Sequence, residues 1–223
     1  STLTFCLVRF RYKEWMTLPR LSKTEWSIVG INGVSLAVFS AVAIKHLNLE
    51  FILYVGVVSV LSGFIFFAQP RVKFGTGILC GLTLWGMLHL AGGNVRVNDS
   101  VLYGYQLIPV VLRYDQFVHA FGFGIATLVC HHLLLPTLSP DKIPRGRIAI
   151  LTVLMGCGLG AFNEILEFVA VKTLPETHVG GYENTLWDLV FNQLGALMAV
   201  GWLMIRRKVY PSIPKTAREI QGK

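Results

Sequence analysis

The sequence predicts an all-α polytopic membrane protein, a six-transmembrane-helix bundle with both termini cytoplasmic. Hydrophobic residues make up 53% of the 223 residues and charged ones 14%, and the mean hydropathy is +0.58, far from the average of soluble domains. Six apolar runs reach the roughly 17 to 25 residues that a helix needs to cross a bilayer. With the N-terminus inside, sixteen of the twenty Lys and Arg residues fall on the cytoplasmic side, as the positive-inside bias requires.

The first span is predicted over residues 27–44. Residues 1–26 before it interleave aromatics with Arg9, Arg11, Lys13, Arg20 and Lys23, a composition suited to an interfacial segment. Ala41-Val42-Ala43 resembles a signal-peptidase site, but the span is read as an anchor. A second span over 49–68 and a third over 74–91 follow, the third broken by glycines. Residues 92–113 form a long, partly apolar outer segment, suited equally to capping a cavity or to packing at the interface.

The fourth span, 114–135, opens with RYDQFVHAFGFG at 113–124. The fifth covers 148–171 and contains MGCGLG, whose glycines lie inside an apolar run with no strand pattern before them. That context argues against a nucleotide loop and points to helix packing through Gly156 and Gly160, with Gly195 and Ala199 acting alike on the sixth span, 185–205. A basic tail, 206–223, completes one membrane domain flanked by two short segments. Cys6, Cys80, Cys130 and Cys157 show no paired spacing and are read as packing residues. Topology and contact with anionic lipid heads account for the net charge of +8, so it is no argument for nucleic acid.

Ionisable residues inside spans are informative because each costs about 2.5–3.5 kcal/mol on insertion scales. Asp115, Glu164, Glu167 and Asp188 are such acids, joined by His89 and His119. Four uncompensated carboxylates would cost on the order of 10 kcal/mol. The alternating helix directions put all of these residues near the outer surface, with His119 about 6 Å deeper than Asp115 at 1.5 Å per residue. Asp115 and His119 are i, i+4, Glu164 and Glu167 i, i+3, and Asp188 and Asn192 i, i+4, so each pair shares a helix face.

Three polar faces at one depth can converge on a cavity. Carboxylates with neutral imidazoles are ligands for Zn, Mn or Fe, and helix bundles build such sites from facing helices. The expected ligands of a divalent metal ion are His89, Asp115, His119 and Asp188, with Glu164, Glu167 and Asn192 as catalytic groups. His131 and His132 lie at the other end of the fourth span, and His46 and His178 lie in loops; all four are read as interfacial.

The set LHLAGG (88–93), RYDQFVHAFGFG, NEILEF (163–168) and NTLWDLVFNQLGA (184–196) resembles the YjdF-like bacterial inner-membrane proteins and, more distantly, the VanZ-like family. The likeness covers about residues 28–205. It matches His89, Gly92, Gly93, Tyr114, Asp115, His119, Glu164, Glu167, Thr185, Trp187, Asp188 and Asn192 to the family pattern. Gln116 stands where that pattern commonly has arginine, and Asn184 where it has aspartate, so one charge of each sign is missing at the rim. The resemblance implies a bacterial inner membrane, and its VanZ-like branch a role in the cell envelope.

Two kinds of function fit these residues. One is a metal-dependent hydrolase acting on a lipid or lipid-linked substrate, with membrane lipids as surroundings. The other is non-hydrolytic: a proton- or ion-coupled transporter, or a subunit of a membrane complex locked by its polar cluster.

Overall fold

A computed structural model of the protein describes residues 21–46, 49–98, 100–138, 143–175, 177 and 180–206. Most of the expected 1–26 segment and of the 206–223 tail, together with Cys6 and His178, lies outside the described residues. Among the described residues, six helices are long and apolar enough to cross a membrane. They are α1 (Lys23–Lys45), α2 (Leu49–Val72), α3 (Thr76–Asn94), α4 (Tyr114–Leu134), α5 (Arg145–Thr173) and α6 (Tyr182–Ile205).

The expected spans coincide with these helices, and the differences lie at their ends. Helix α1 begins at Lys23, before the apolar run, because Ser22 and Glu25 form a capping box: Glu25 N–H donates to Ser22 Oγ at 3.3 Å and Ser22 N–H to Glu25 Oε2 at 2.7 Å. Helix α3 runs on through Gly92 and Gly93 to Asn94, whose side-chain amide donates to the Leu90 carbonyl at 2.8 Å. Polar first and last turns likewise extend α5 and α6 beyond the apolar core of each span.

Between α3 and α4 the chain forms two short antiparallel hairpins, which hydropathy does not register. The first pairs β1 (Arg96–Val97) with β2 (Ser100–Val101), the second β3 (Gln106–Ile108) with β4 (Leu112–Arg113), and one turn of 3-10 helix, Leu102–Gly104, lies between them. Leu102 N–H donates to the Val95 carbonyl at 2.9 Å and Tyr114 N–H to the Tyr105 carbonyl at 2.8 Å, which fastens this strap to the ends of both helices.

Helix α4 is the centre of the bundle, packed on α6, α5 and α3, while α1 lies against α2 and α3. The α4–α6 contact is close enough to exclude side chains: a Cβ at Gly195 would collide with the Ala120 carbonyl oxygen, and one at Gly124 would lie 3.3 Å from the Gly195 carbonyl oxygen. In MGCGLG, Gly156 faces Thr127 and Ala196, and Gly160 faces Asn192, whereas Gly158 meets nothing within 4 Å. The motif is thus one turn-spaced packing face of a continuous helix, as small residues at membrane interfaces allow. Outward faces carry exposed apolar residues such as Val34, Phe64, Leu154 and Phe168, which suits contact with hydrocarbon.

At one end of the bundle, Gln69 binds Glu25 and both backbone groups of Phe74, and His132 Nε2 lies 2.9 Å from the Val72 carbonyl with its ring on Phe74. These contacts tie α1, α2, α3 and α4 together far from the acids of interest. Cys80, Cys130 and Cys157 are free thiols.

Candidate metal centre

At the opposite end the helices bring together Asp115 and His119 from α4, Glu164 and Glu167 from α5, and Asp188 and Asn192 from α6. His119 is the hub. Its Nε2 lies 3.5 Å from Asp115 Oδ1 and 4.0 Å from Glu167 Oε1, and its Nδ1 lies 3.6 Å from Glu164 Oε1. Two groups, Asp115 with His119 and Asp188, and His119 with Glu164 and Glu167, each have their ligand atoms within 4.8 Å of one another.

Asn192 sets the direction of the imidazole. Its Oδ1 lies 2.9 Å from His119 Nδ1, and its Nδ2 donates to Glu164 Oε1 at 3.3 Å. An amide oxygen only accepts, so Nδ1 carries the proton and the Nε2 lone pair faces the carboxylates. A lone pair facing anions is repulsive unless a cation or a further proton stands among them. Gly160 allows this placement, since a Cβ there would sit 2.9 Å from the Asn192 side chain.

Asn184 orients both aspartates from the rim. Its Nδ2 donates to Asp188 Oδ2 at 2.5 Å and to Asp115 Oδ2 at 3.4 Å, while its Oδ1 accepts from Arg113 Nη1 at 3.3 Å. In each aspartate Oδ2 is thus held and Oδ1 left for the interior. Asp188 Oδ1 and Glu164 Oε2 are buried with no hydrogen-bond partner among the described residues, in residues only 1% and 6% exposed. Buried anionic oxygens left unsatisfied are costly, and a cation is the usual compensation. Either trio, Asp115 with His119 and Asp188 or His119 with Glu164 and Glu167, therefore fits a divalent metal ion.

His89 lines the same cavity but stands outside both groups. Its Nδ1 lies 2.6 Å from the Tyr103 hydroxyl, which donates to the His89 carbonyl at 2.9 Å, and its ring stacks on Trp85 at 5.6 Å. A phenol donating to the carbonyl accepts from Nδ1–H, an arrangement that leaves Nε2 as the basic nitrogen. Burial, reinforced by the charges of Asp115 and Glu167, pushes the Tyr103 phenol well above its ordinary pKa and keeps it a donor. Through Tyr103 the strap covers the cavity, and Gly92 gives it room, since a Cβ there would lie 2.6 Å from the Tyr103 ring.

The cavity holds about 540 Å³ of empty space, counting its open mouth. Several of its residues escaped sequence reasoning: Glu50 and Tyr54 of α2, Trp85 of α3, Tyr103 of the strap, Asn163 and Asn184. The sequence carried a signal for three of them. Asn163 donates to Glu167 Oε1 at 2.8 Å and Asn184 to Asp188, both i, i+4 pairs, and Glu50 is a carboxylate inside a predicted span. Of the two departures from the resembled pattern, Asn184 became the aspartate clamp, while Gln116 caps α4 by accepting from Arg113 N–H at 2.9 Å.

Truncating an amide that orients metal ligands typically costs roughly 10–100-fold in metal affinity. Asn184→Ala is therefore expected to weaken divalent-metal binding by that factor with little change in helix content, read by competition with a chelating dye and by circular dichroism. An unchanged affinity would remove Asn184 from the centre.

Comparison with curated proteins and with solved structures finds no match. Residues 28–209 match the family described as "Predicted membrane protein (DUF2238)". That match spans most of the chain and contains every residue of the carboxylate and histidine centre, and the protein belongs to this family of predicted membrane proteins.

Proposed function

We propose that the protein is a metal-dependent membrane enzyme, a hydrolase acting on a lipid or lipid-linked substrate of the cell envelope. The observation that carries this reading is His119: its Nδ1 is anchored on Asn192, and its Nε2 faces carboxylates whose neighbours include two buried oxygens with no hydrogen-bond partner among the described residues. Asp115, His119 and Asp188 are the proposed ligands, and His89 lines the same cavity. An oxygen-rich set with one imidazole favours manganese or iron over zinc.

When bound, the metal ion would supply Lewis acidity and compensate the crowded negative charge. The protein's own groups do the rest. Glu167, held by Asn163, keeps a carboxylate at the cavity as a proton acceptor for an attacking water, and Glu164, held by Asn192, stands behind it beside His119. Tyr103 and the strap limit access of bulk water. The exposed apolar faces of α5 and α6 let a lipid approach from the side.

Both termini are proposed to lie in the cytoplasm of a bacterial cell, with the centre near the outer face of the inner membrane, from the distribution of basic residues. The likeness of the motifs to VanZ-like proteins supports an envelope substrate by analogy.

Elemental analysis of the purified protein tests the reading. About one equivalent of manganese, iron or zinc is expected in the wild type, and background in Asp115→Ala and His119→Ala. Wild-type metal no higher than in these variants would sink the proposal.

A further inference from the structure

The strap exposes an apolar surface that the rest of the chain does not cover. No charged residue lies between Asp99 and Arg113 in the sequence, yet residues 104–111 are all exposed. Leu107 and Ile108 are open, Val111 is 68% exposed and Val110 100%. The hairpin of β1 and β2 is of the opposite kind, with Arg96, Asn98 and Ser100 at its surface. A contiguous exposed apolar patch marks a contact surface.

The turn that closes β3 and β4 holds a side chain its backbone does not favour. Val111 N–H donates to the Ile108 carbonyl at 3.0 Å, which makes Pro109 and Val110 the two corner residues. Val110 has a φ of 65°, where glycine or asparagine is the ordinary occupant and a β-branched side chain is strained. Among the described residues none covers the Val110 side chain, so packing inside the protein does not compensate the strain. Strained positions persist where they serve a contact.

Chain length sets the surroundings of this tip. Helix α4 starts at Tyr114, four residues after Val110, which keeps the tip within about 14 Å of the helix end. The 21 residues of α4 span about 32 Å at 1.5 Å per residue, close to the roughly 30 Å of a hydrocarbon core. The helix end therefore stands at the boundary with the head groups, which occupy a further 5–7 Å or so. The bond from Tyr114 N–H to the Tyr105 carbonyl holds the base of the hairpin there. Tyr105 is exposed beside it, an aromatic of the type that membrane interfaces favour, and exposed Phe117 carries the apolar surface on into α4.

We propose that the β3–β4 hairpin is an interfacial anchor, whose tip at residues 107–111 enters the membrane surface on the side of the carboxylate and histidine centre and is covered by lipid. A protein partner would look for polar groups at the rim of the contact, and the side chains of residues 107–112 offer none. Lipid needs only the apolar surface. Strand β4 ends at Arg113, whose guanidinium reaches Asn184, so the anchor and the rim of the centre share one short strand.

The full chain, with its four native cysteines replaced by alanine, receives a single new cysteine as Val110→Cys, Val111→Cys or Ser100→Cys. Each carries an environment-sensitive dye, and the protein is reconstituted in phosphatidylcholine nanodiscs. Dyes at 110 and 111 are expected to shift to the blue, to lose intensity with lipid bearing a shallow doxyl group, and to resist aqueous iodide. The dye at 100 is expected to do the reverse. Quenching at 110 and 111 by iodide alone would put the tip in water and overturn the anchor. Protection from both quenchers would reveal a protein cover and overturn it equally. In the unsubstituted protein, phosphatidylcholine carrying a diazirine at the glycerol end of its acyl chain should crosslink within residues 107–112, and crosslinks confined to the six helices would reject the anchor. Neither measurement depends on bound metal or on turnover.

Discussion

Asp188→Asn is expected to raise the thermal midpoint of the chelator-treated protein while abolishing its metal binding. Asp188 is 1% exposed, and its Oδ1 has no hydrogen-bond partner among the described residues. Around it stand the carboxylates of Asp115, Glu164 and Glu167. Without a cation these groups repel one another in a poorly solvated interior, where breaking up like charges is worth more than at a surface. An asparagine keeps the shape and the oxygen that accepts from Asn184 Nδ2, and removes the charge.

Functional centres often hold such groups at a cost in stability, and neutralising them commonly contributes about 0.5–2 kcal/mol. A rise of a few degrees in the midpoint follows for a chain of this size. Added manganese should stabilise the wild type and leave the variant unmoved. A polar cluster that only locks the helices together would behave oppositely. A lower midpoint for the variant, with wild-type metal content, would reject the metal centre in favour of a structural network.

Gly195→Val should separate α4 from α6, whereas Gly158→Val should be nearly silent. At Gly195 a Cβ would collide with the Ala120 carbonyl oxygen, which is backbone and cannot swing away, and at Gly158 a Cβ meets nothing within 4 Å. Overpacking of a tight contact costs about 1–3 kcal/mol, and a backbone obstacle puts Gly195 at the top of that range. An outward-facing change stays within about 0.5 kcal/mol. The same separation would carry Asn192 away from His119, so Gly195→Val should lose bound metal along with thermal stability. Equal midpoints for the two variants would show that α4 and α6 do not touch at Gly195.

Much of this protein is legible in one dimension. Hydropathy located all six helices, because a bilayer demands about twenty apolar residues from each. Helical spacing paired Asp115 with His119, Glu164 with Glu167 and Asp188 with Asn192, because residues three or four apart must share a face. Alternating helix direction then put these pairs at one end of the bundle. Polar helix ends were invisible to hydropathy, and so were the two hairpins between α3 and α4, whose strands of two or three residues have no periodicity to read.

The tertiary structure decided what the polar faces do to one another. Four of the expected residues, His89, Asp115, His119 and Glu167, line one cavity, and Glu164, Asp188 and Asn192 cluster around His119 beside it, but their roles depend on distances that spacing does not carry. His119 became the hub because Gly160, Gly124 and Gly195 let α5 and α6 close around α4. His89, alike in sequence terms, is drawn aside by Tyr103, a residue of the strap fourteen positions later. Asn184, an uncharged departure from the resembled pattern, proved to be the clamp of two aspartates, and Glu50 entered from a helix with no other acid. The physical reason is common to all of them. A sequence states which side chains cannot remain alone in a membrane, and only the packing of helices chooses their partners.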